Sequence, residues 1–526
     1  MAEQPATFPF VIGSNCKPGI QRDGTIRAGD GYVDGRWMRF QNGRPRKMGG
    51  YRQLTASLTG IQRGIHQTIQ NGFTYVHVGA QATLERLTIQ NNSGVISGIT
   101  ARTPGGFASS TNYVWQFDSM FDGGGTDTLL FAHAGTNLTD LADATDYSVY
   151  SGDIYGTGAL TAIASSAVSG GILVAEPYLF GFGNDGFIYW SVPNDPTDLT
   201  GAGSGDARIT GEKIVKGARL KAGSGNAPAA LFWSLDSVMR ATFIGGSAIF
   251  DFDTIATTSS LMSSRTVVEY DGLFFWAANN RFMMYNGVVR EVPNRRNTNF
   301  FFDNILPQNQ GKCFGFANPR WGEIWWCFPY GNATECDHAV ILNVRDNEWY
   351  DTELPALMRS AGDFNHVYTY PLMTDATASA GGATSLWQHE TGVDEVMLTG
   401  QSNAIPSLYE TGVVSGLDFT PPHLRSIGVG TIEPDFVQTG ALTMEVVGRA
   451  NARAGEEVGE PQTFDALAAT IPEQVVYEKT QRRLLGFRVT SNVAGGDYQA
   501  GESVAHLHVA DERVLGALAE EPEEGA

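Results

Sequence analysis

The chain has little of what would mark a disulfide scaffold, a helical bundle or a nucleic-acid gripper. Four cysteines occur in 526 residues, Cys16, Cys313, Cys327 and Cys336, too few and too scattered for a disulfide framework. Cys327 and Cys336 could face each other across one hairpin, but reduced packing thiols are the expectation. Met1 to Phe10 has no basic segment followed by an apolar stretch, and no run approaches transmembrane length. A cytosolically made chain that does not itself insert in a membrane is expected. Long amphipathic periods of 3.6 residues are hard to find, which argues against a helical protein. Positive charge is also short: 35 Lys+Arg stand against 56 Asp+Glu, a net of −21. A protein that grips phosphates leans the other way.

Motifs of catalysis are equally thin. Gly-x-Ser-x-Gly, a P-loop and the sialidase Asp box do not occur. Gly201-Ala202-Gly203-Ser204-Gly205 lacks the lysine that a P-loop needs and reads as a surface connection. The pairs Asp251/Asp253 and Glu433/Asp435 say little in a chain with 56 acidic residues. His506-x-His508 puts two imidazoles on one face of a strand, the best metal candidate. No further ligand group stands beside it in sequence, so surface histidines are expected. His77 and His133 recur at one repeat position, where packing explains them. The sequence therefore predicts no enzyme, no cofactor and no metal.

What the chain does have is a repeat. An aromatic-rich strand, a tight turn and a second strand begin at Phe73, Leu129, Tyr178, Leu231, Leu273, Glu323 and Ser385. The spacing of roughly 40 to 60 residues suits four-stranded propeller blades. Glycine is abundant, 63 residues, and much of it sits in turns. Asn71-Gly72, Asp185-Gly186, Asp271-Gly272 and Asn286-Gly287 accept the positive φ angles of tight hairpins. Hydrophobic residues at 42% and aromatics at 11% supply a packed core. The fold class expected is all-β, a β-propeller of six to seven blades with an additional C-terminal β module.

Four regions follow from composition. Residues 1–60 read as an irregular basic N-terminal arm, 61–400 as the propeller, 401–510 as the C-terminal β module and 511–526 as an acidic disordered tail. Residues 1–64 hold ten basic side chains against four acidic ones, about +6, which leaves about −27 for the rest of a chain at −21. Glu3, Asp23, Asp30 and Asp34 are too few to pair locally with Arg36, Arg39, Arg44, Arg46 and Lys47. Those five are therefore expected at an intersubunit or adaptor-facing surface.

Ordered blocks of text carry a family resemblance. They are Arg22-Asp23-Gly24-Thr25, Tyr32-Val33-Asp34-Gly35-Arg36-Trp37, Pro45-Arg46-Lys47-Met48-Gly49-Gly50-Tyr51, Ser191-Val192-Pro193-Asn194-Asp195-Pro196-Thr197-Asp198, and the string from Asn318 to Tyr350. In this order the chain resembles the tail nozzle proteins of short-tailed bacteriophages, also called packaged-DNA stabilisation proteins. The blocks cover most of residues 15 to 440. The resemblance implies a virion protein of the tail, assembled in the host cytoplasm as a hexameric ring. Its partners would be further copies of itself, the head–tail adaptor protein, tail fibres or spikes, and genomic double-stranded DNA passing without sequence specificity. An acidic wall suits a conduit, because Lys/Arg walls would brake a polyanion. The alternative is a carbohydrate-binding propeller, in which exposed Trp325 or Trp387 would stack on sugar rings; packing between blades is the expectation for both.

Overall fold

In the computed structural model, strand accounts for 56% of the described residues and helix for 3%. The described residues are 7–13, 15–26, 31–91, 94–111, 113–121, 127–136, 148–163, 168–183, 185–221, 227–362, 368–379, 381–415, 426–465, 475–477 and 480–509. The segment 511–526 lies outside them.

Five successive four-stranded antiparallel sheets make up blades 1 to 5. Blade 1 consists of Ile65–Gln70, Phe73–Gly79, Leu84–Gln90 and Ile96–Ala101. Blade 2 begins at Tyr113–Phe121, blade 3 at Gly171–Ala175, blade 4 at Ile214–Arg219 and blade 5 at Val268–Tyr270. Blade 6 is Phe314–Asn318, Glu323–Phe328, Cys336–Asn343 and the first part of the long strand Glu348–Ala361. That strand does not stop at the blade boundary. Its end, from Met358 to Ala361, pairs with Leu372–Asp375 and so becomes the innermost strand of blade 7. Ala383–His389 follows, and the fourth strand is Tyr51–Thr59 from the N-terminal region, whose start also pairs with Glu395–Val396.

The innermost strands lie side by side in a closed ring, as local contacts show. Gln116 Nε2 donates to the carbonyls of Gly170 and Val215 at 3.0 and 3.2 Å, linking blades 2, 3 and 4. Gly315 N donates to Arg265 O at 2.8 Å between blades 5 and 6. Ser360 Oγ donates to Gln62 O at 3.1 Å, bringing blade 7 back to blade 1. Between blades 4 and 5 the fully buried Trp233 and Trp276 meet edge to face, centroids 5.6 Å apart. Such ring pairs add about 0.5–1.5 kcal/mol beyond their burial. Gly79 is required by this packing: a Cβ there would fall 2.3 Å from the Trp115 ring of blade 2. The hairpin reading holds at Asn71-Gly72, with φ of 53° and 81°, and at Asp271-Gly272, with 52° and 77°.

Residues 1–60 are not an irregular arm. Besides the blade strand, Thr7–Ile12 pairs with Ser503–Val509, Gly31–Arg36 pairs with Ser407–Thr411, and Arg44–Lys47 meets Asp497–Ala500. The terminal β module is thus woven from both ends of the chain. Its core is continuous with blades 6 and 7, since Phe10, Tyr32, Phe40, Tyr409 and Phe487 cluster with Trp325, Tyr350 and Trp387. The sequence expectation failed here because these strands are short and rich in Arg, Pro and Gly, and pairing with distant strands overrides such weak local preference.

Leu58 is fully buried in the cluster of blades 1 and 7 with Ile65, Val76 and Leu386. Leu58→Ala is expected to lower the unfolding free energy by about 2–5 kcal/mol, read by urea denaturation. An effect within about 0.5 kcal/mol, the range of ordinary surface changes, would show that this strand does not hold the ring.

Candidate functional site: the junction of propeller and terminal module

The N-terminal cations meet their acids at this junction. Arg39, on Met38–Gln41, is fully buried against Glu323 of blade 6 and Glu390, which follows blade 7. Its Nε donates to Glu323 Oε1 at 2.7 Å, and Nη1 donates to Glu390 Oε2 at 2.9 Å. Tyr350 Oη and Trp325 Nε1 also donate to Glu323, at 2.6 and 2.9 Å. Trp321 Nε1 donates to Glu390 at 3.0 Å, and the Arg39 guanidinium lies 4.4 Å from the Trp321 ring centroid. Burial alone would lower the Arg39 pKa, but Glu323 and Glu390 overcome it and raise the value. Burial raises the Glu390 carboxyl, and Arg39 more than reverses that, holding it below its usual range. Every donor of this network faces a buried acceptor, the condition under which buried charge is tolerated.

The other expected interface residues are also used inside the chain. Arg36 Nη2 bonds Glu353 at 2.5 Å, Arg44 pairs with Glu502, and Arg46 Nη1 donates to Gln41 at 2.7 Å. Lys47 is buried and donates to Gly496 O at 2.7 Å; burial lowers its pKa, with Asp394 and Asp497 opposing. The placement of Arg39 and Lys47 at a surface between subunits is therefore corrected. Arg39 and Lys47 are inaccessible, while Arg36, Arg44 and Arg46 are half-buried and partnered within the chain. The acids that pair with Arg36, Arg39 and Arg44 lie hundreds of residues away, out of reach of a local charge count.

Two further contacts fix the junction. Arg22 bonds Asp351 through Nε at 3.0 Å and Nη2 at 2.8 Å. Asp23 accepts from the backbone N–H groups of Asn299 and Phe300 at 2.8 and 3.0 Å, capping the helix Thr298–Phe302 from across the sequence.

Other candidates resolve as packing. Trp325 and Trp387 are buried, with exposures of 5% and 6%, so neither offers a face to a sugar. His77 donates from Nε2 to Ile154 O at 3.1 Å, and burial holds its pKa well below the ordinary value. His133 is likewise fully buried, its Nδ1 3.0 Å from Ser148 O. Asp253 is bound by Arg240 at 3.1 and 2.9 Å, and with Asp251 it lines a groove of about 330 Å³ between blades 3 and 4. His506 meets Glu433 at 2.6 Å, a carboxylate that sequence proximity did not reveal. Among the described residues no group of three His, Cys, Asp or Glu is arranged to hold a metal ion. All four cysteines are free and buried, and burial pushes the Cys313 thiol up to about 12. Cys327 stands opposite Ala339 in the sheet rather than Cys336.

No protein-family profile matches the chain, and no curated protein matches it. Among solved structures it is similar to a luciferin-regenerating enzyme at 8% identity and a TM-score of 0.33, covering 66% of this chain and 96% of that one. The sequence expectation that the chain is not an enzyme meets a structural neighbour that is one and is withdrawn. A likeness this distant assigns no activity here.

Removing Arg39 leaves two carboxylates buried without their cation. Arg39→Met should cost about 3–5 kcal/mol in chemical denaturation. The pH dependence separates two groups. His389 is pushed down by burial from 6.5 to about 4, so it opposes folding progressively as pH falls through that window. Glu390 has a depressed pKa; its contribution is present above about pH 4.5 and is lost as pH falls through its folded value. His389→Gln should flatten the stability profile between pH 4 and 6.5, whereas Arg39→Met, by leaving burial to raise the Glu390 carboxyl, should abolish the acid limb below about 4.5 and add a loss of stability as pH rises above it. Identical profiles for the two variants would contradict this assignment.

Proposed function

We propose that the chain is a structural tail protein of a short-tailed bacteriophage. In this reading it forms the nozzle ring that retains packaged DNA and conducts it during ejection. One observation carries it: four of the five sequence blocks behind the family resemblance, three between residues 22 and 51 and one from Asn318 to Tyr350, converge on a single junction. Arg22 and Asp23 of the first block hold Asp351 and the helix before blade 6. In the second, Arg36 binds Glu353 and the Trp37 N–H donates to Thr352 Oγ1 at 2.9 Å. In the third, Tyr51 opens the fourth strand of blade 7. The Asn318–Tyr350 string supplies Glu323, Trp321 and Tyr350 around Arg39. Blocks of text that meet in space form one structural unit, which independent strand–turn–strand coincidences do not explain.

The charge balance supports passage rather than capture of DNA. At −21 overall, with Arg22, Arg36, Arg39 and Arg44 paired to carboxylates within the chain, the charge balance disfavours the sustained phosphate binding that a long basic groove supplies. Copies of the chain would assemble as a hexameric ring under the adaptor, with DNA contact arising from confinement in the assembled tube.

Two measurements test this. Mass photometry and electron microscopy of the purified chain, alone and with a head–tail adaptor protein, should show six-fold rings. A mobility-shift titration of the isolated subunit at about 150 mM salt should show weak binding to duplex DNA without sequence preference. Saturable sub-micromolar binding by the isolated subunit, or a strictly monomeric chain in the presence of the adaptor, would overturn the nozzle reading.

A further inference from the structure

The innermost propeller strands all start at the same end of the ring, and cations gather there. Arg63 precedes Ile65–Gln70 of blade 1, Arg265 precedes Val268–Tyr270 of blade 5, and Lys312 precedes Phe314–Asn318 of blade 6. Arg359 lies at the start of the innermost strand of blade 7. Because blades 5, 6, 7 and 1 are neighbours in the ring, these positions adjoin one another. Direct contacts confirm the proximity. Arg265 Nη1 donates to Arg359 O at 2.7 Å, Arg359 Nη1 donates to Glu335 Oε2 at 2.9 Å, and Lys312 Nζ stands 3.1 Å from Glu335 Oε1. Arg63 reaches only a carbonyl, that of Thr111.

Two of these guanidiniums are more than nine-tenths buried, Arg63 at 7% and Arg359 at 6% exposure. Each has an Nε–H with no hydrogen-bond partner. A buried donor without an acceptor is costly, and a charged one more so. Burial, with Arg359 adding like-charge repulsion, lowers the Arg63 pKa to about 10. Glu335 is the carboxylate shared by Lys312 and Arg359, and its two oxygens are taken by them. Positive charge at this mouth therefore exceeds the acid that meets it, in a chain whose total is −21.

We propose that the axial mouth formed by blades 5, 6, 7 and 1 binds a small oxyanion, a phosphate or a carboxylate group, between Arg63 and Arg359 beside Lys312. The planar fork of arginine matches both groups in geometry. The ligand must be small because so little of either guanidinium is exposed, which sets the site apart from any contact with a nucleic-acid backbone. It is independent of the nozzle reading.

Isothermal titration of the full chain with inorganic phosphate and, separately, with citrate tests it, with sodium chloride at matched ionic strength as the screening control. Saturable heat with phosphate or with citrate, absent with chloride, is the expected result; which of the two binds more tightly identifies phosphoryl or carboxylate chemistry. Lys312→Gln, a peripheral change, and Arg359→Gln should each weaken binding by about tenfold, about 1.4 kcal/mol. Glu335→Gln should tighten it, because it removes the competing carboxylate. A variant that fails to fold does not decide the matter, since Lys312→Gln and Glu335→Gln move affinity in opposite directions at partly accessible positions. Heat no different from chloride, or Glu335→Gln weakening binding while Lys312→Gln leaves it unchanged, would overturn the site.

Discussion

A strand from the beginning of the chain closes a ring built by the rest of it. Tyr51–Thr59 is the fourth strand of blade 7, and without it the third strand of that blade would present an unpaired edge. Such closure makes folding a long-range event, because the first and last blades are held together by residues more than three hundred positions apart. The buried charges around Arg39 belong to the same constraint. They sit where the segment leading into that strand crosses blade 6, and they make the crossing specific: only the correct register brings Glu323 and Glu390 to one guanidinium. A hydrophobic contact at that place would bind as well with far less selectivity for register.

The propeller itself was legible. In blades 1 to 6 the aromatic motif falls on the second strand, for example Phe73–Gly79, Leu273–Ala278 and Glu323–Phe328. Second strands are covered on both faces and read as near-continuous apolar runs, the strongest strand signal a sequence offers. In blade 7 the motif Ser385-Leu386-Trp387 falls on the third strand instead. The blade has borrowed strands at both edges, so its interior has moved by one.

The candidate interface was not legible, and the reason is physical. Counting charges along residues 1–64 assumes that ions pair with sequence neighbours. Here Arg36 takes Glu353, Arg39 takes Glu323 and Glu390, and Arg44 takes Glu502. Pairing on that scale is a property of the fold. The same holds for His506, whose carboxylate neighbour Glu433 arrives through strand pairing. Buried indoles at Trp325 and Trp387 fit the apolar text around them, and that part of the sequence reading agrees with the structure.

The strand Glu348–Ala361 serves blade 6 at one end and blade 7 at the other. A peptide linker would let the two blades pivot against each other; an uninterrupted strand does not. Blades 6 and 7 therefore act as a single stiff plate to which the terminal module is also bonded. Force applied to the module passes into the ring through that plate, and relative tilting of blades is left to the remaining boundaries, where side-chain packing and a few hydrogen bonds resist it.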